Sequence, residues 1–574
     1  MTSRDVAKVL YSIETYLELH GDAELTSKSY GRAARSLETG TVDVVAMVHA
    51  GLPVKAPGIG STLGAVVREI VETGTTVQLE ELRRITPPGL MEILEIRGVG
   101  AKKVRALHTQ LGIETLDQLE QAALENRIAA LPGFGDKSQA KILEGLSQLR
   151  QQGGKLRINR ATELAESVLA RLRELPSVER GAIAGRLRRG GEEFDSLGFV
   201  LQAASVDALE RDLASIADVL SEPVREGSVI TAQADGGFRV RIDAATPANY
   251  AVLLHQRTGA SDYCFMVSIP LTDRGYDLRE DGLYREGAMV MLDSEDELFD
   301  LAGMQYIAPE LREGIDEVRR ALDREIPDLV TREDLKGMLH VHSTWSDGRS
   351  PIQEIAEHVH GLGYSYLLMT DHSKSAFYAN GLDERRLEAQ GREIDEINRR
   401  YDPSEFRVLK GIECDILGDG ALDLEDDALA ALDVVVISVH SQFNLPMEAQ
   451  TERICRALEN RYSTILGHST GRLILKRKGY DVDLRRVIAT AAAHGKAIEL
   501  NCNPMRLDLN WRMVRHARRK GVPIAINPDA HSLADFENMR YGITMARKGW
   551  LTPDGTLNAL DADGLVRFAT ALRG

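Results

Sequence analysis

Nine residues in the second half of the chain are of types that bind transition metals, and they recur at one kind of place: His340, His342, Asp347, His372, Glu413, His440, His468, Asp529 and His531. Each stands at or just after the end of a short apolar run, in KGMLHVH, YSYLLMTDH, FRVLKGIECDI, LDVVVISVH, STILGHS and VPIAINPDAH. Neutral imidazole nitrogens and carboxylate oxygens suit Zn²⁺ or Mn²⁺, and nine such donors exceed what one ion takes. The pattern therefore predicts two or three divalent transition metal ions in one site. A lone histidine is most often a core or surface residue, and His358, His360, His494 and His516, which fall in helical segments, are read that way.

The elements that must position these donors follow from the spacing. The apolar runs, with KAIELNCNP as a further one, alternate with amphipathic helical segments, which implies parallel strands joined by helical crossovers and, at seven strands, a barrel. Functional groups of such barrels gather at the C-terminal ends of the strands. His340 and His342, as i and i+2 residues of the first strand, are expected to point to the same side.

The first 150 residues repeat a different device, in APGIGSTLGAVVREIVETG, IRGVGAKKVRALHTQLG and LPGFGDKSQAKILEGL. In each G-x-G the first glycine (Gly58, Gly98, Gly133) permits a sharp turn, and the second (Gly60, Gly100, Gly135) lets a phosphate approach bare N–H groups at a helix start. Lys102, Lys103, Lys137 and Lys141 are candidate phosphate partners. Such hairpins grip the DNA backbone without reading bases.

A third stretch, GRLRRGGEEFDSLGF from Gly185, combines a glycine turn with Arg186, Arg188 and Arg189, whose guanidinium forks match phosphate oxygens. Phosphoryl transfer also needs paired carboxylates for Mg²⁺ or Mn²⁺, and Ser196 and Gly198 stand where such a pair would be sought.

With 574 residues, 43% of them hydrophobic and 27% charged, the chain reads as an ordinary globular protein, of about three to five domains. The formal charge of −17 disfavours coating nucleic acid by bulk attraction, so DNA binding must come from local devices. The longest apolar run, LDVVVISV, is too short to span a bilayer, and the N-terminal segment is an amphipathic helix pattern with no signal-peptide core. A cytoplasmic monomer is expected. Cys264, Cys414, Cys455 and Cys502 are scattered and read as small buried residues.

HVH-x4-D, TDH, GIECDI, SVHS, GHSTGR, ELNCNP and DAH, in this order, resemble the PHP (polymerase and histidinol phosphatase) superfamily. With the hairpins and GRLRRG ahead of them, essentially the whole chain resembles the bacterial family X DNA polymerases that carry a C-terminal PHP domain. The resemblance implies a multidomain α+β and α/β protein. Its parts would be an N-terminal helix-hairpin-helix domain over 1–85, a second helical region over 86–160, and a nucleotidyltransferase-like palm over 161–255. A thumb over 256–323, a linker over 324–335 and a PHP distorted (β/α)7 barrel over 336–574 would follow. It also implies a Mn²⁺-dependent 3′–5′ exonuclease or phosphodiesterase acting on gapped, nicked or 3′-end repair intermediates of DNA. One ion would take His340, His342, Glu413 and Asp529, a second Glu413, His440 and His468, and a third Asp347, His372 and His531.

The palm departs from the family pattern. Its three metal aspartates fall on Ser196, Gly198 and Arg241, and the thumb's aromatic pair ahead of Thr258-Gly259 falls on Gln256 and Arg257. Mg²⁺ or Mn²⁺ at the palm and dNTP binding are therefore not expected, and Arg186, Arg188 and Arg189 are left as a phosphate grip. Val66 falls where some relatives carry a Schiff-base lysine, which disfavours lyase chemistry. The alternative is an active template-directed polymerase in which a bulge brings Asp195 and Asp243 inward, with the PHP domain as its editing nuclease. A scaffold with structural metals, and histidinol phosphate hydrolysis, are disfavoured by the shared ligands and by the DNA-gripping front half.

Overall fold

The structure is a computed structural model that describes residues 3–574 apart from 22, 23, 40, 41, 95, 97, 153, 235 and 236; Arg97 of the second hairpin thus lies outside the described residues. The chain forms two compact units, Met1–Gly153 and Gly154–Gly574.

The first unit is helical among its described residues, with two small cores. Val6, Leu10, Ile13 and Leu17, spaced three and four apart on the helix Ser3–His20, pack with Val67 and Ile70 of Ser61–Thr73. That spacing is the stripe an amphipathic helix buries. Ile93, Val104, Leu107 and Leu119 build the second core from the helices Pro88–Leu94, Ala101–Leu111 and Leu116–Leu124. Thr76 and Thr115 cap the helices that follow them by accepting backbone N–H bonds, which fixes where each helix starts.

The second unit opens with a five-stranded sheet in the order Val178–Ala184, Ser196–Ala203, Phe238–Ala245, Val229–Ala234, Ser221–Glu226. The helices Ile158–Arg173 and Val206–Leu213 bury one face of it, and Tyr250–Thr258 packs on the other. This last helix runs across residue 255, where the palm was expected to end. Leu156 and Arg157, expected with the helical region before them, pair with Phe194 and Glu193 of the palm. A smaller core then gathers the helices Ser261–Asp273 and Glu295–Ala302 with a three-stranded antiparallel sheet.

Seven parallel strands follow in sequential order, Gly337–Val341, Tyr366–Met369, Arg407–Asp415, Val434–Ser438, Ile465–Leu466, Ala497–Asn501 and Ile524–Asn527. A bridge from Val341 to Ala530 brings the last strand back to the first, so the barrel is nearly closed. Leu339, Leu368, Leu409, Val436 and Ile465 fill its interior, and Leu565 and Ala569 of the C-terminal helix Ala562–Ala571 join that core. The segment 324–335 is pinned to the barrel: Val330 is buried and its N–H bonds to Leu551. Trp550 enters the thumb core from the barrel side, under the guanidinium groups of Arg320 and Arg515.

Candidate metal centre and nucleic-acid surface

Strand alternation carries ligand types from the apolar interior up to the C-terminal rim. Leu409 and Glu413 lie on one face of the third strand, as do Val434, Val436 and Ser438 of the fourth, which leads into His440. The first strand departs from this rule. His340 has φ 59°, and the pairing with the second strand shifts between Met338 and Val341. His340 and His342 thus reach the same centre through a bulge, where simple i, i+2 alternation was expected. Asp529 also has positive φ, 51°; two non-glycine residues in this region at one site mark a geometry that the surrounding structure enforces. Gly467 is required by close approach, since a Cβ there would lie 2.4 Å from Ser438 Oγ and 3.6 Å from His340 Cε1.

Glu413 stands at the centre. Its Oε1 lies 2.9 Å from His468 Nε2, 3.3 Å from His340 Nε2 and 3.4 Å from His440 Nε2. Its Oε2 lies 2.9 Å from His372 Nδ1 and 3.6 Å from His342 Nε2. Asp529 Oδ1 is 3.3 Å from His342 Nε2 and 3.6 Å from His340 Nε2, and Asp347 Oδ1 is 3.3 Å from His531 Nε2. Four sets bring donor atoms within 4.8 Å of one another: His340, His342 and Asp529; His340, Glu413 and His468; His372, Glu413 and His440; and His342, Asp347, His372 and His531. All nine sequence-predicted donors are in these sets. Their grouping differs from the expected one: Glu413 is not in the set of His340, His342 and Asp529, His468 goes with His340 and not with His440, His372 joins Glu413 and His440, and His342 joins the Asp347 set. His358, His360, His494 and His516 are in none of them.

The buried Nε2 of His340, both ring nitrogens of His342, Nδ1 of His372 and Oε2 of Glu413 have no well-aligned hydrogen-bond partner among the described residues. Buried polar atoms are almost always satisfied, so a cluster of orphaned nitrogens and oxygens fits divalent cations. The electrostatics point the same way. Burial opposes charge throughout, yet Glu413, beside His340, His440 and His372, is held well below the usual carboxylate range. Burial, with His531 and His372 adjacent, pushes His342 down to about 3. Against its burial, His440 is raised to about 10 by Glu413 and Asp415.

Two carboxylates that the strand-end reading overlooked orient the ring. Glu499 Oε2 accepts the Nδ1 proton of His340 at 2.5 Å and a bond from Asn527, while its Oε1 accepts from Asn501 and from the His468 N–H. Asp415 Oδ1 meets His440 Nδ1 at 2.6 Å. Each leaves Nε2 facing the centre, the way outer carboxylates fix the tautomer of a metal-binding histidine. Both lie within motifs visible in the sequence, GIECDI and ELNCNP, and Glu499 is two residues from the inward Ala497. Asp371 accepts bonds from Ser343 and Ser346 and so fixes the loop that delivers Asp347.

At the rim, the loop after His372 returns to it through a Leu382 N–H bond to the His372 carbonyl. It carries Phe377 and Tyr378, 85% and 64% exposed. Arg506 Nε lies 3.3 Å from Asp529 Oδ2.

The palm shows no comparable cluster among the described residues. The strands Ser196–Ala203 and Phe238–Ala245 pair without interruption, Gly198 opposite Arg241 and Val200 opposite Asp243. No bulge therefore interrupts this pair of strands between 196 and 202, although Asp195, just ahead of them, and Asp243 line one cavity. Asp195 is 64% exposed, whereas Asp243 is buried under Arg241 and Arg257. The expected three-arginine grip is also corrected. Arg188 is taken up by Glu295 at 2.5 Å and by Thr258 Oγ1, and Arg189 by Glu313 and the Thr258 carbonyl, so both staple the turn to the thumb. Arg186 alone is exposed and free of ion pairs among the described residues.

In the first unit the three hairpins share one geometry. Ile59, Val99 and Phe134 each donate an N–H to the residue three back, at 3.0 Å. Gly58, Gly98 and Gly133 have φ of 77°, 83° and 82°. A Cβ on Gly60, Gly100 or Gly135 would meet no atom within 4 Å, so the start of each following helix faces open space. Lys103 folds back, donating to the Gly98 carbonyl at 2.9 Å, while Lys137 and Lys141 are exposed.

Comparisons with known proteins agree with this layout. Residues 90–148 match the SAM-like helix-hairpin-helix tandem, and residues 253–313 the DNA polymerase beta thumb. A probable phosphatase of Thermoanaerobacter sp. (strain X514) is 28% identical over 38% of this chain and 88% of its own length. A probable phosphatase of Syntrophotalea carbinolica is 26% identical over 38% of this chain and 90% of its own. The DNA polymerase/3′–5′ exonuclease PolX of Bacillus subtilis (strain 168) is 35% identical over 99% of both chains. With a helix-hairpin-helix tandem, a polymerase beta thumb and a seven-stranded parallel barrel on a chain that aligns with PolX over 99% of its length, this chain belongs to the PolX family of DNA polymerase/3′–5′ exonucleases.

Proposed function

We propose that this chain is a metal-dependent DNA phosphodiesterase that removes nucleotides at 3′ ends or repair intermediates, with the barrel rim as its working centre and a palm that does not polymerise. The observation that carries the reading is Glu413, a buried carboxylate within 3.6 Å of five histidines whose inward nitrogens include several with no other partner.

The donor sets fit two or three ions of Zn²⁺ or Mn²⁺, with Glu413, His340, His342 and His372 shared between sets. When bound, such ions polarise a phosphodiester and make water acidic enough to attack it. The protein's own groups do the rest. Glu499 and Asp415 hold the Nδ1 protons of His340 and His440, so each ring presents its lone pair inward. Arg506 places a cation beside Asp529 for a phosphate oxygen, and Phe377 and Tyr378 offer bases a stacking surface at the rim. The helix-hairpin-helix turns hold the DNA backbone through their open helix starts. No membrane-spanning helix occurs among the described residues.

Elemental analysis after reconstitution tests the reading. More than one equivalent of metal is expected, with loss of more than one in Glu413→Ala; a wild-type stoichiometry at or below one overturns the multinuclear centre. In parallel, His342→Ala should abolish Mn²⁺-dependent 3′ degradation while gapped DNA stays bound.

A further inference from the structure

Between the palm turn and the barrel lies a cavity of about 240 Å³ whose walls are almost entirely polar and charged. Arg186, Arg189, Arg472, Arg512 and Lys548 face Glu192 and Glu313 there, five cations against two carboxylates. The carboxylates are already used. Glu313 is shared by Arg189 and Lys548, and Arg472 takes both oxygens of Glu192 at 3.0 Å each. That leaves Arg186, from the palm turn, and Arg512, from the barrel helix Trp511–Arg519, exposed on opposite walls with no ion pair among the described residues. The Arg512 guanidinium is held over the Trp511 ring, 4.3 Å from its centroid.

We propose that this cavity is a phosphate station for a single-stranded DNA tail on its way to the metal centre; the inference rests on the phosphodiesterase reading above. Two guanidiniums with no carboxylate partner, facing one polar space, match the backbone of a nucleic acid strand, and the aromatic ring on its wall, Trp511, is buried under Arg512 and Lys548 and so is not open to a base. The cavity is also joined to the chemistry. Arg472 Nε donates to the Arg506 carbonyl at 2.8 Å, and Arg506 Nε lies 3.3 Å from Asp529 Oδ2, so two successive contacts lead from its wall to the donors.

The test is binding by the full chain, without metal, of duplexes carrying a fluorescein-labelled 3′ tail of ten thymidines or none, read by anisotropy. Arg512→Glu should weaken binding of the tailed duplex about tenfold and leave the blunt duplex unchanged. The salt slope for the tail should fall by about 0.7 for each phosphate that the variant leaves unneutralised. Arg186→Glu, on the opposite wall, should act in the same direction. An unchanged tail affinity in the Arg186→Glu/Arg512→Glu double variant overturns the station. So does a double variant that loses only inhibition by thymidine monophosphate or inorganic phosphate, since that marks a product site. Hydrolysis is scored separately on thymidine 5′-p-nitrophenyl phosphate with Mn²⁺. A wild type that binds the tail through Arg512 but cleaves nothing refutes the phosphodiesterase and leaves the station standing.

Discussion

Arg241 grips Asp243 with one edge of its guanidinium, Nε and Nη2 each 2.8 Å from a carboxylate oxygen, and Arg257 Nε adds a third bond at 2.8 Å. The buried carboxylate nearest to a polymerase site is thus neutralised by side chains where a metal ion would have to sit. Asp243→Ala leaves two guanidiniums facing each other. Because Arg241 is half exposed, the expected cost is about 1–3 kcal/mol rather than the full value for a buried pair. Urea unfolding of the palm should show it, while Mn²⁺-dependent degradation of DNA stays within twofold. Loss of that activity in a folded Asp243→Ala protein would count against a palm without chemistry.

Gly100→Asp separates stability from binding. The position is a helix start with extended backbone and open space around a new Cβ. An aspartate there is a good cap and is expected to stabilise the helix by a few tenths of a kcal/mol. The same carboxylate lies where a phosphate would approach. Affinity for gapped DNA should fall roughly tenfold, and the salt slope by about one, with no loss of melting temperature. Unchanged affinity would exclude this hairpin from the interface.

Glu499→Gln keeps the shape of the site but removes the charge that accepts the His340 Nδ1 proton. Metal affinity should fall about 10- to 100-fold, with kcat restored at saturating Mn²⁺. A purely structural role would instead lower the melting temperature and leave metal titrations alone.

His255 predicts a pH dependence of stability. It is fully buried, both ring nitrogens lack hydrogen-bond partners among the described residues, and burial together with the neighbouring Arg312 pushes it down to about 3 from 6.5. The unfolded chain binds the proton first as pH falls. The contribution of His255 is therefore complete above about 6.5 and is lost on acidification from there towards about 3, at up to roughly 1.4 kcal/mol per pH unit. Wild type should lose more stability than His255→Leu between pH 7.5 and 5. Parallel losses would mean that the ring is solvated.

The barrel and its donors were legible because two regularities coincide there: parallel strands end at one rim, and ligand types stand at nearly every end. The hairpins were legible because one turn is written three times. Other features carry no such mark. Nothing in the residue type shows that His340 takes a positive φ, since the bulge arises from how the first strand pairs with the second. Glu499 looks like an anomaly within a buried strand until His340 is seen to need its charge. Arg188 and Arg189 read as a phosphate grip because their partners, Glu295 and Glu313, lie more than a hundred residues away in sequence.

Hydrolysis at the barrel without extension at the palm, as proposed, is tested most directly by incubating a 5′-labelled primer in a one-nucleotide gap with Mn²⁺ and all four dNTPs, using wild type and His342→Ala. Wild type should shorten the primer, and His342→Ala should leave its length unchanged. Extension of the primer by His342→Ala would contradict it.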